Sequence, residues 1–319
     1  WLTDNRNLTD VRYDPQLLGW CGLTEQQLPE LVPSASVTGT LLPAVAEEWG
    51  LTPATQVVTA TGDVHSAVVG SGALGDFEGH LYMGTSSWLS CHLPTKRTDL
   101  LNNQAALPSA VPGRYFLANE HEVGGGALLW LRDQAQMIRD VDEANELAAA
   151  AAPGSGNVIF TPWLNGERTP VDDHTIRGGW NNVSLTTTRP DLVRSVFEGV
   201  AYNSRWLLDT VEKFIKRPLD GLNFIGGGAR SDLWCQMHAD VCDRVIRRVA
   251  EPQHANARGA AFVAWLALGR QSLDELNRAV TIEREFHPDP DGRAAYAPLY
   301  KEFTKLYKAH KPIHARLNG

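Results

Sequence analysis

The stretch Ala60-Thr61-Gly62-Asp63-Val64-His65-Ser66-Ala67-Val68-Val69-Gly70-Ser71-Gly72 follows directly on the β-rich run Gln56-Val57-Val58-Thr59-Ala60. Valines and threonines favour extended backbone, and the small residues after Asp63 are compatible with a helix over 64–72. An acid is therefore expected where a strand hands over to a helix. In open α/β sheets that is where ligands bind, beyond the carboxyl ends of the strands. About twenty residues later, Leu81-Tyr82-Met83-Gly84-Thr85-Ser86-Ser87 reads as another strand ending in a small, hydroxyl-rich turn. An acid opposite a phosphate-sized turn suggests phosphoryl transfer. That reaction has a loose transition state, so positioning matters more than base strength.

The bulk properties narrow the field around this stretch. The 319 residues suffice for one large domain or two ordinary ones, and 43% hydrophobic content supports a real core. A formal net charge of −8 argues against a nucleic-acid or anionic-membrane surface, since both need a basic footprint. Arg247 and Arg248 form only a short pair, expected on a solvated strand edge. Cys21, Cys91, Cys235 and Cys242 show no CxxC spacing and read as reduced thiols of a cytoplasmic enzyme. No apolar run approaches the length of a membrane span.

Residues 1–44 are Pro-punctuated, with two short helices, Thr24 as a cap candidate, and a short strand near Val37-Thr38-Gly39-Thr40. They read as the tail of a first, substrate-binding domain plus a connector. An α/β pattern occupies 45–319, read as the second, nucleotide-binding domain. It comprises a helix at 43–49, a strand at 56–60, paired strands near 80–84 and 87–92, and a Pro/Asn-rich loop over 94–112. A short strand at 115–117, helices over 125–138 and 144–152, and a strand at 158–160 follow. Residues 161–190 are irregular and long enough to suggest function. Leu192, Val193, Val196, Phe197, Val200, Leu207, Leu208 and Val211 recur at helical spacing. A strand at 222–225, a helix at 231–242, a strand at 245–249, a helix at 257–268 and a charged helix over 294–309 complete the pattern.

The residues that carry chemistry each admit a plainer role. Asp63 can take the proton of an attacking hydroxyl, or can cap the helix behind it. Gly84-Thr85-Ser86 can offer backbone N–H groups to phosphate, or be an ordinary hairpin turn. Gly226-Gly227-Gly228 lies between a strand and a helix, where glycine admits a ligand to the backbone and the helix N-terminus favours an anion. It is not GxGxxG, so a dinucleotide fold is poorly supported. Gly124-Gly125-Gly126 is similar. Asn119-Glu120-His121-Glu122 alternates as on a strand and lacks the i, i+4 pair of a helical zinc site, so no metal site is expected. Glu167-Arg168-Thr169-Pro170 reads as a salt-bridged loop anchor.

Taken in order, these motifs resemble the FGGY carbohydrate kinases, closest to the xylulokinase-like branch. The matching segments are Thr61-Gly62-Asp63, Gly84-Thr85-Ser86, Gly124-Gly125-Gly126-Ala127-Leu128-Leu129-Trp130-Leu131, Pro162-Trp163-Leu164-Asn165-Gly166-Glu167-Arg168-Thr169-Pro170, Phe197-Glu198-Gly199-Val200-Ala201, Gly226-Gly227-Gly228-Ala229-Arg230-Ser231-Asp232-Leu233-Trp234 and Ala257-Arg258-Gly259-Ala260-Ala261. The resemblance implies an actin-like fold built on ribonuclease H-like sheets, with ATP and Mg²⁺ (the latter bound through the phosphates) and a sugar or polyol as acceptor. It implies Asp63 as the base. Gly84 and Thr85 would face the ATP phosphates, and Gly125 with Gly227, Gly228 and Ala229 would line the nucleotide pocket. Asp232 would sit near the nucleoside.

Two features depart from the family pattern. Val64 stands where xylulokinases commonly place an Asn that touches the sugar. The acidic-Gly-Thr phosphate loop of the family's N-terminal domain is not found. The chain is thus expected to be the C-terminal part, with little activity alone, completed by a further N-terminal domain or by a homo-oligomer. The competing expectation is a non-catalytic actin-like half-kinase that binds nucleotide or a separate subunit.

Overall fold

The computed structural model describes residues 2–59 and 61–319. At its centre is an eight-stranded mixed sheet. Its order is Ile282–Phe286, Val245–Val249, Gly221–Ile225, Gly79–Met83, Ser87–Leu93, Tyr115–Ala118, Gln104–Pro108 and Thr98–Asp99. Gly221–Ile225 runs parallel to both of its neighbours, and the other pairings in this sheet are antiparallel. Three antiparallel strands joined to two parallel ones give the ribonuclease H-like arrangement.

Side chains alternate across the sheet, as the pleat requires. Leu81, Met83, Leu89, Cys91, Leu222, Phe224 and Ile246 enter the main core, shared with helices Arg189–Ile215, Asp232–Cys242 and Pro290–Asn318. Trp88, Ile225 and Val249 face the other way, against Ala67 and Ala255 of helices Asp63–Gly70 and Ala255–Ala267. Helices thus cover both faces of the sheet. The 27-residue helix Arg189–Ile215 begins at a capping box between Thr188 and Asp191 and stops where Lys216 turns left-handed at φ 61°. Its periodic apolar residues are buried, as the spacing predicts. Among the described residues no helix is long and apolar enough to cross a membrane.

Several elements differ from expectation. The strand read at 56–60 spans Gln56–Val58, and Ala60 lies outside the described residues. Among the described residues it pairs with Val37–Thr40 alone, in a separate two-stranded ribbon rather than in the large sheet. Asp63 therefore follows a ribbon strand and not a central one. The loop read at 94–112 holds the strands Thr98–Asp99 and Gln104–Pro108. The strand read at 158–160 spans Ile159–Thr161 and pairs with Gly179–Asn181 outside the main sheet. The helix read at 125–138 ends at Asp133, and the C-terminal one runs over Pro290–Asn318 with its exposed Pro298 and Pro312 inside it.

Arg247 and Arg248 are not on a sheet edge. The edge strand is Ile282–Phe286, which the periodicity did not reveal, and it sets Arg248 opposite Arg284. Like charges directly opposite on a sheet repel. The Asp232 carboxylate offsets this by reaching both guanidiniums, at 2.5 Å each.

Candidate active site

The strand Gly79–Met83 ends in the turn Gly84-Thr85-Ser86, where the N–H of Gly84 donates to the Ser86 carbonyl at 3.0 Å. The glycine run Gly124-Gly125-Gly126 is stitched onto this turn. Gly125 N–H donates to the Gly84 carbonyl at 2.7 Å, and Gly124 and Gly126 donate to the Thr85 carbonyl at 2.8 and 3.0 Å. A Cβ on Gly125 would stand 2.7 Å from the Gly84 carbonyl oxygen, a backbone atom that cannot yield. The third glycine turn follows the neighbouring parallel strand. Gly226 there adopts φ 91°, and a Cβ on it would stand 2.5 Å from the Met83 carbonyl oxygen. At Gly227 nothing lies within 4 Å of a built Cβ. Packing therefore demands glycine at 125 and 226, while at 227 the backbone borders open space.

That space is a cavity of about 540 Å³ lined by Gly84, Thr85, Gly125, Gly227 and Gly228, with apolar walls that include Leu128, Phe197 and Trp234. Arg132, Arg230, Asp140 and Asn145 add polar groups at its border. As the opening residues of a 3-10 turn, Gly227 and Gly228 present N–H groups without partners inside the turn. Two other expected residues lie elsewhere. Ala229 is fully buried beneath the turn, its carbonyl accepting the Cys235 thiol at 3.3 Å. Asp232 is held by Arg248 and Arg284 and borders a neighbouring depression with Glu251 and Pro252. Arg230 borders both spaces.

Asp63 is the first residue of the helix Asp63–Gly70, and Gly62 occupies the cap position. The carboxylate is exposed, and Oδ1 accepts the N–H of Val64 at 2.9 Å. Among the described residues Oδ2 accepts no hydrogen bond. The helix lies on the sheet face that also carries Tyr82 and Trp88, through Ala67 and Val64. Burial, and secondarily the Asp63 charge, push the Tyr82 phenol above its ordinary pKa. The Tyr82 ring in turn lies against Gly84, where a Cβ would meet its hydroxyl. Asp63 heads a cleft of about 510 Å³, bordered also by His65, Gln104, Phe116, Glu120 and Arg168. His65 is half-buried, its Nε2 lies 3.1 Å from the Pro108 carbonyl, and its ring packs at a tilt on Phe116 at 4.3 Å. Burial lowers its pKa, against a smaller opposing pull from Asp63.

The segment read as a salt-bridged anchor forms one wall of this cleft. Arg168 is ion-paired with Glu120 and with Glu122, the latter at 2.7 Å. Beneath it Glu167 is fully buried, and desolvation pushes its pKa up to about 7. Asn203 donates to Glu167 at 2.6 Å, and the N–H groups of Glu122 and Arg168 donate at 2.9 Å each. Among the described residues no group of three or more His, Cys, Asp or Glu side chains is arranged to hold a metal. The alternation of Asn119-Glu120-His121-Glu122 instead sends His121 inward, where burial pushes it down to about 3, and leaves both glutamates to Arg168. The sequence reading did not anticipate Gln104 or Arg168 at this cleft. The short strand that carries Gln104 has too little periodicity to be seen, and Arg168 lies in an irregular loop.

Helices on both faces of a ribonuclease H-like sheet, with glycine turns at the carboxyl ends of two parallel strands, define an actin-like ATPase fold. The chain belongs to the FGGY family of carbohydrate kinases: residues 79–268 match the family's C-terminal domain and residues 3–70 its N-terminal domain. Asp63 thus falls in the N-terminal match and the three glycine turns in the C-terminal one. The xylulose kinase of Escherichia coli K12 is 31% identical over 323 residues, covering 99% of this chain and 64% of that protein. The gluconokinase of Bacillus subtilis 168 is 26% identical over 325 residues, covering 95% of this chain and 61% of that protein. The ligand-bound xylulose kinase structure from Lactobacillus acidophilus superposes with a TM-score of 0.88 at 24% identity, covering 98% of this chain and 63% of that one. The chain spans about three-fifths of the length of the curated relatives it matches.

Proposed function

We propose that this chain supplies the nucleotide pocket and the proton-accepting carboxylate of an ATP-dependent sugar or polyol kinase, with a pentulose such as xylulose as the favoured acceptor. One observation carries the reading: Gly84, Thr85, Gly125, Gly227 and Gly228, from three separate turns, border a single cavity. Its apolar walls suit a purine, and its glycine edges let phosphates approach backbone N–H groups without a basic residue. Arg132 and Arg230 add positive charge at the border. Mg²⁺ would be carried by the nucleotide phosphates and neutralise their charge, as that ion commonly is.

Asp63 would receive the acceptor hydroxyl on its unused Oδ2. It needs no covalent role: as the hydroxyl oxygen attacks the γ-phosphorus and ADP departs, the carboxylate takes the hydroxyl proton. Its bond to the Val64 N–H fixes the other oxygen and so orients the group. The pentulose preference rests on the xylulose kinases among the relatives, and the gluconokinase likeness keeps sugar acids in view. The test is a coupled ADP-release screen over pentuloses, hexuloses, sugar acids and polyols, with the polypeptide at its natural length. Acceptor-dependent ADP release, strongest with a pentulose, is expected. The absence of acceptor dependence across the panel would overturn the proposal.

A further inference from the structure

Tyr82 stands between the Asp63 helix and the Gly84 turn, with a hydroxyl that the fold does not use. The pleat of Gly79–Met83 sends alternate side chains to opposite faces. Leu81 and Met83 enter the main core, so Tyr82 faces the other way, onto the cluster of Ala67, Trp88 and Val64. Val64 directly follows Asp63, so the phenol and the head of that helix pack on one cluster. The ring leans toward the carboxyl end of its own strand. A Cβ on Gly84 would meet the phenol oxygen and stand 2.7 Å from the ring atoms Cε1 and Cζ. Glycine at 84 therefore leaves room for this phenol beside the turn.

The ring is held in that pose. It stacks on Trp88 with centroids 3.9 Å apart and planes 10° from parallel. The Trp88 indole N–H donates to His80 Nε2 at 3.3 Å, and burial, which pushes His80 down to about 3, keeps that nitrogen an acceptor. Stack and Gly84 contact both need only a ring, and phenylalanine would supply one. Among the described residues the Tyr82 hydroxyl makes no hydrogen bond, and the residue is half-buried. Burial, and secondarily the Asp63 charge, keep it protonated at neutral pH, so it is available as a donor.

We infer that Tyr82 is a further catalytic residue, its hydroxyl donating a hydrogen bond to a non-bridging oxygen of the phosphoryl group as that group passes from the Gly84 turn to the acceptor held by Asp63. The inference rests on the kinase reading. Charge is spread over those oxygens in the transition state, and a donor already fixed beside their path stabilises it without reorganising. No bond to Tyr82 forms or breaks, and the phenol keeps its proton throughout.

The test is Tyr82→Phe, which removes the hydroxyl and keeps the stack, made in the polypeptide at its natural length. Four quantities are compared with wild type: steady-state ADP release with the best acceptor, ATP affinity by calorimetry, affinity for ADP with aluminium fluoride (a mimic of the phosphoryl group in transit), and the melting temperature. The turnover rate is expected to fall about ten- to hundredfold and the aluminium fluoride complex to weaken at least about tenfold. ATP affinity and the acceptor KM should stay within about twofold, and the melting temperature within about 2 °C. A Tyr82→Phe protein that turns over within twofold of an active wild type overturns the inference alone. So does one that melts several degrees lower, which would mark the hydroxyl as structural, or one that loses ATP affinity in step with rate. A wild type that phosphorylates no acceptor refutes the kinase reading, and the inference with it.

Discussion

Gly259→Ala tests how the helix that carries Asp63 is held. Helices Asp63–Gly70 and Ala255–Ala267 cross with a glycine from each at the contact. A Cβ on Gly259 would stand 1.8 Å from the Ser66 carbonyl oxygen, and one on Gly70 the same distance from the Ala255 carbonyl oxygen. Both obstacles are backbone. To reach about 3.3 Å, the lower end of ordinary C···O approach, the helices must part by about 1.5 Å. Overpacking of this kind costs about 1–3 kcal/mol, and more where backbone must move. The gain in helix propensity from Gly to Ala returns about 1 kcal/mol. A net loss of about 2 kcal/mol lowers the melting temperature by about 3 °C in a chain of this size.

The displacement has a second consequence, since Asp63 heads the shifted helix and Asn256 of the partner helix donates to its carbonyl at 3.4 Å. Misplacing a catalytic group by about 1 Å can cost about a hundredfold in rate. The control is Gly19→Ala, also inside a helix but with nothing within 4 Å, which should stabilise by up to about 1 kcal/mol. Thermal melts and ADP-release rates on both variants decide the matter. A Gly259→Ala protein that melts at or above wild type, with full activity, would refute this account of the helix contact.

Three further outcomes are expected. Gly227→Ala, whose methyl meets nothing in the protein, should leave the melting temperature within about 1 °C yet weaken ATP binding measurably, as calorimetry would show. Glu198→Leu should destabilise by about 3–5 kcal/mol in denaturant titration, because Arg194 would lose its buried partner at 2.8 Å. The pH profile of stability should fall on the acid side. His80, His92, His121 and His238 are buried, and desolvation pushes them down to about 3, 4, 3 and 4. The unfolded chain takes up their protons from about pH 6.5 downward while the folded chain does not, so stability drops as pH falls through that window. Glu167, raised to about 7, opposes this, since its contribution is present below about pH 4.5 and lost as pH rises through 7. Four groups outweigh one, and stability should fall by at least about 2 kcal/mol from pH 6.5 to 5, with a flat denaturation profile counting against the assignment.

The parts of the site that the sequence made legible are those governed by local chemistry. A Leu-Tyr-Met strand running into Gly-Thr-Ser, and Asn-Phe-Ile running into three glycines, declare strand and turn within a few residues. The 27-residue helix is legible because its apolar spacing persists over seven turns and its capping box lies in four consecutive residues. What stayed hidden depends on pairing across long separations. Gln56–Val58 has the composition of a central strand, and nothing local says that its partner is Val37–Thr40. Asp232 reads as a pocket residue until the strand carrying Arg284, 52 positions on, pairs beside Arg248 and draws the carboxylate away. Gln104 lies in a five-residue strand beside a two-residue one, too short for alternation to register.

In the proposed reaction Asp63 is the base and the glycine-edged cavity the nucleotide site. The measurement that tests it most directly is the rate of acceptor-dependent ADP release by Asp63→Asn, with ATP affinity measured in parallel on the same protein. The account predicts a fall in rate of at least about a hundredfold with ATP affinity held within about twofold, since the cavity lined by Gly84, Gly125 and Gly227 does not include Asp63. An Asp63→Asn protein that turns over within about threefold of wild type would contradict it.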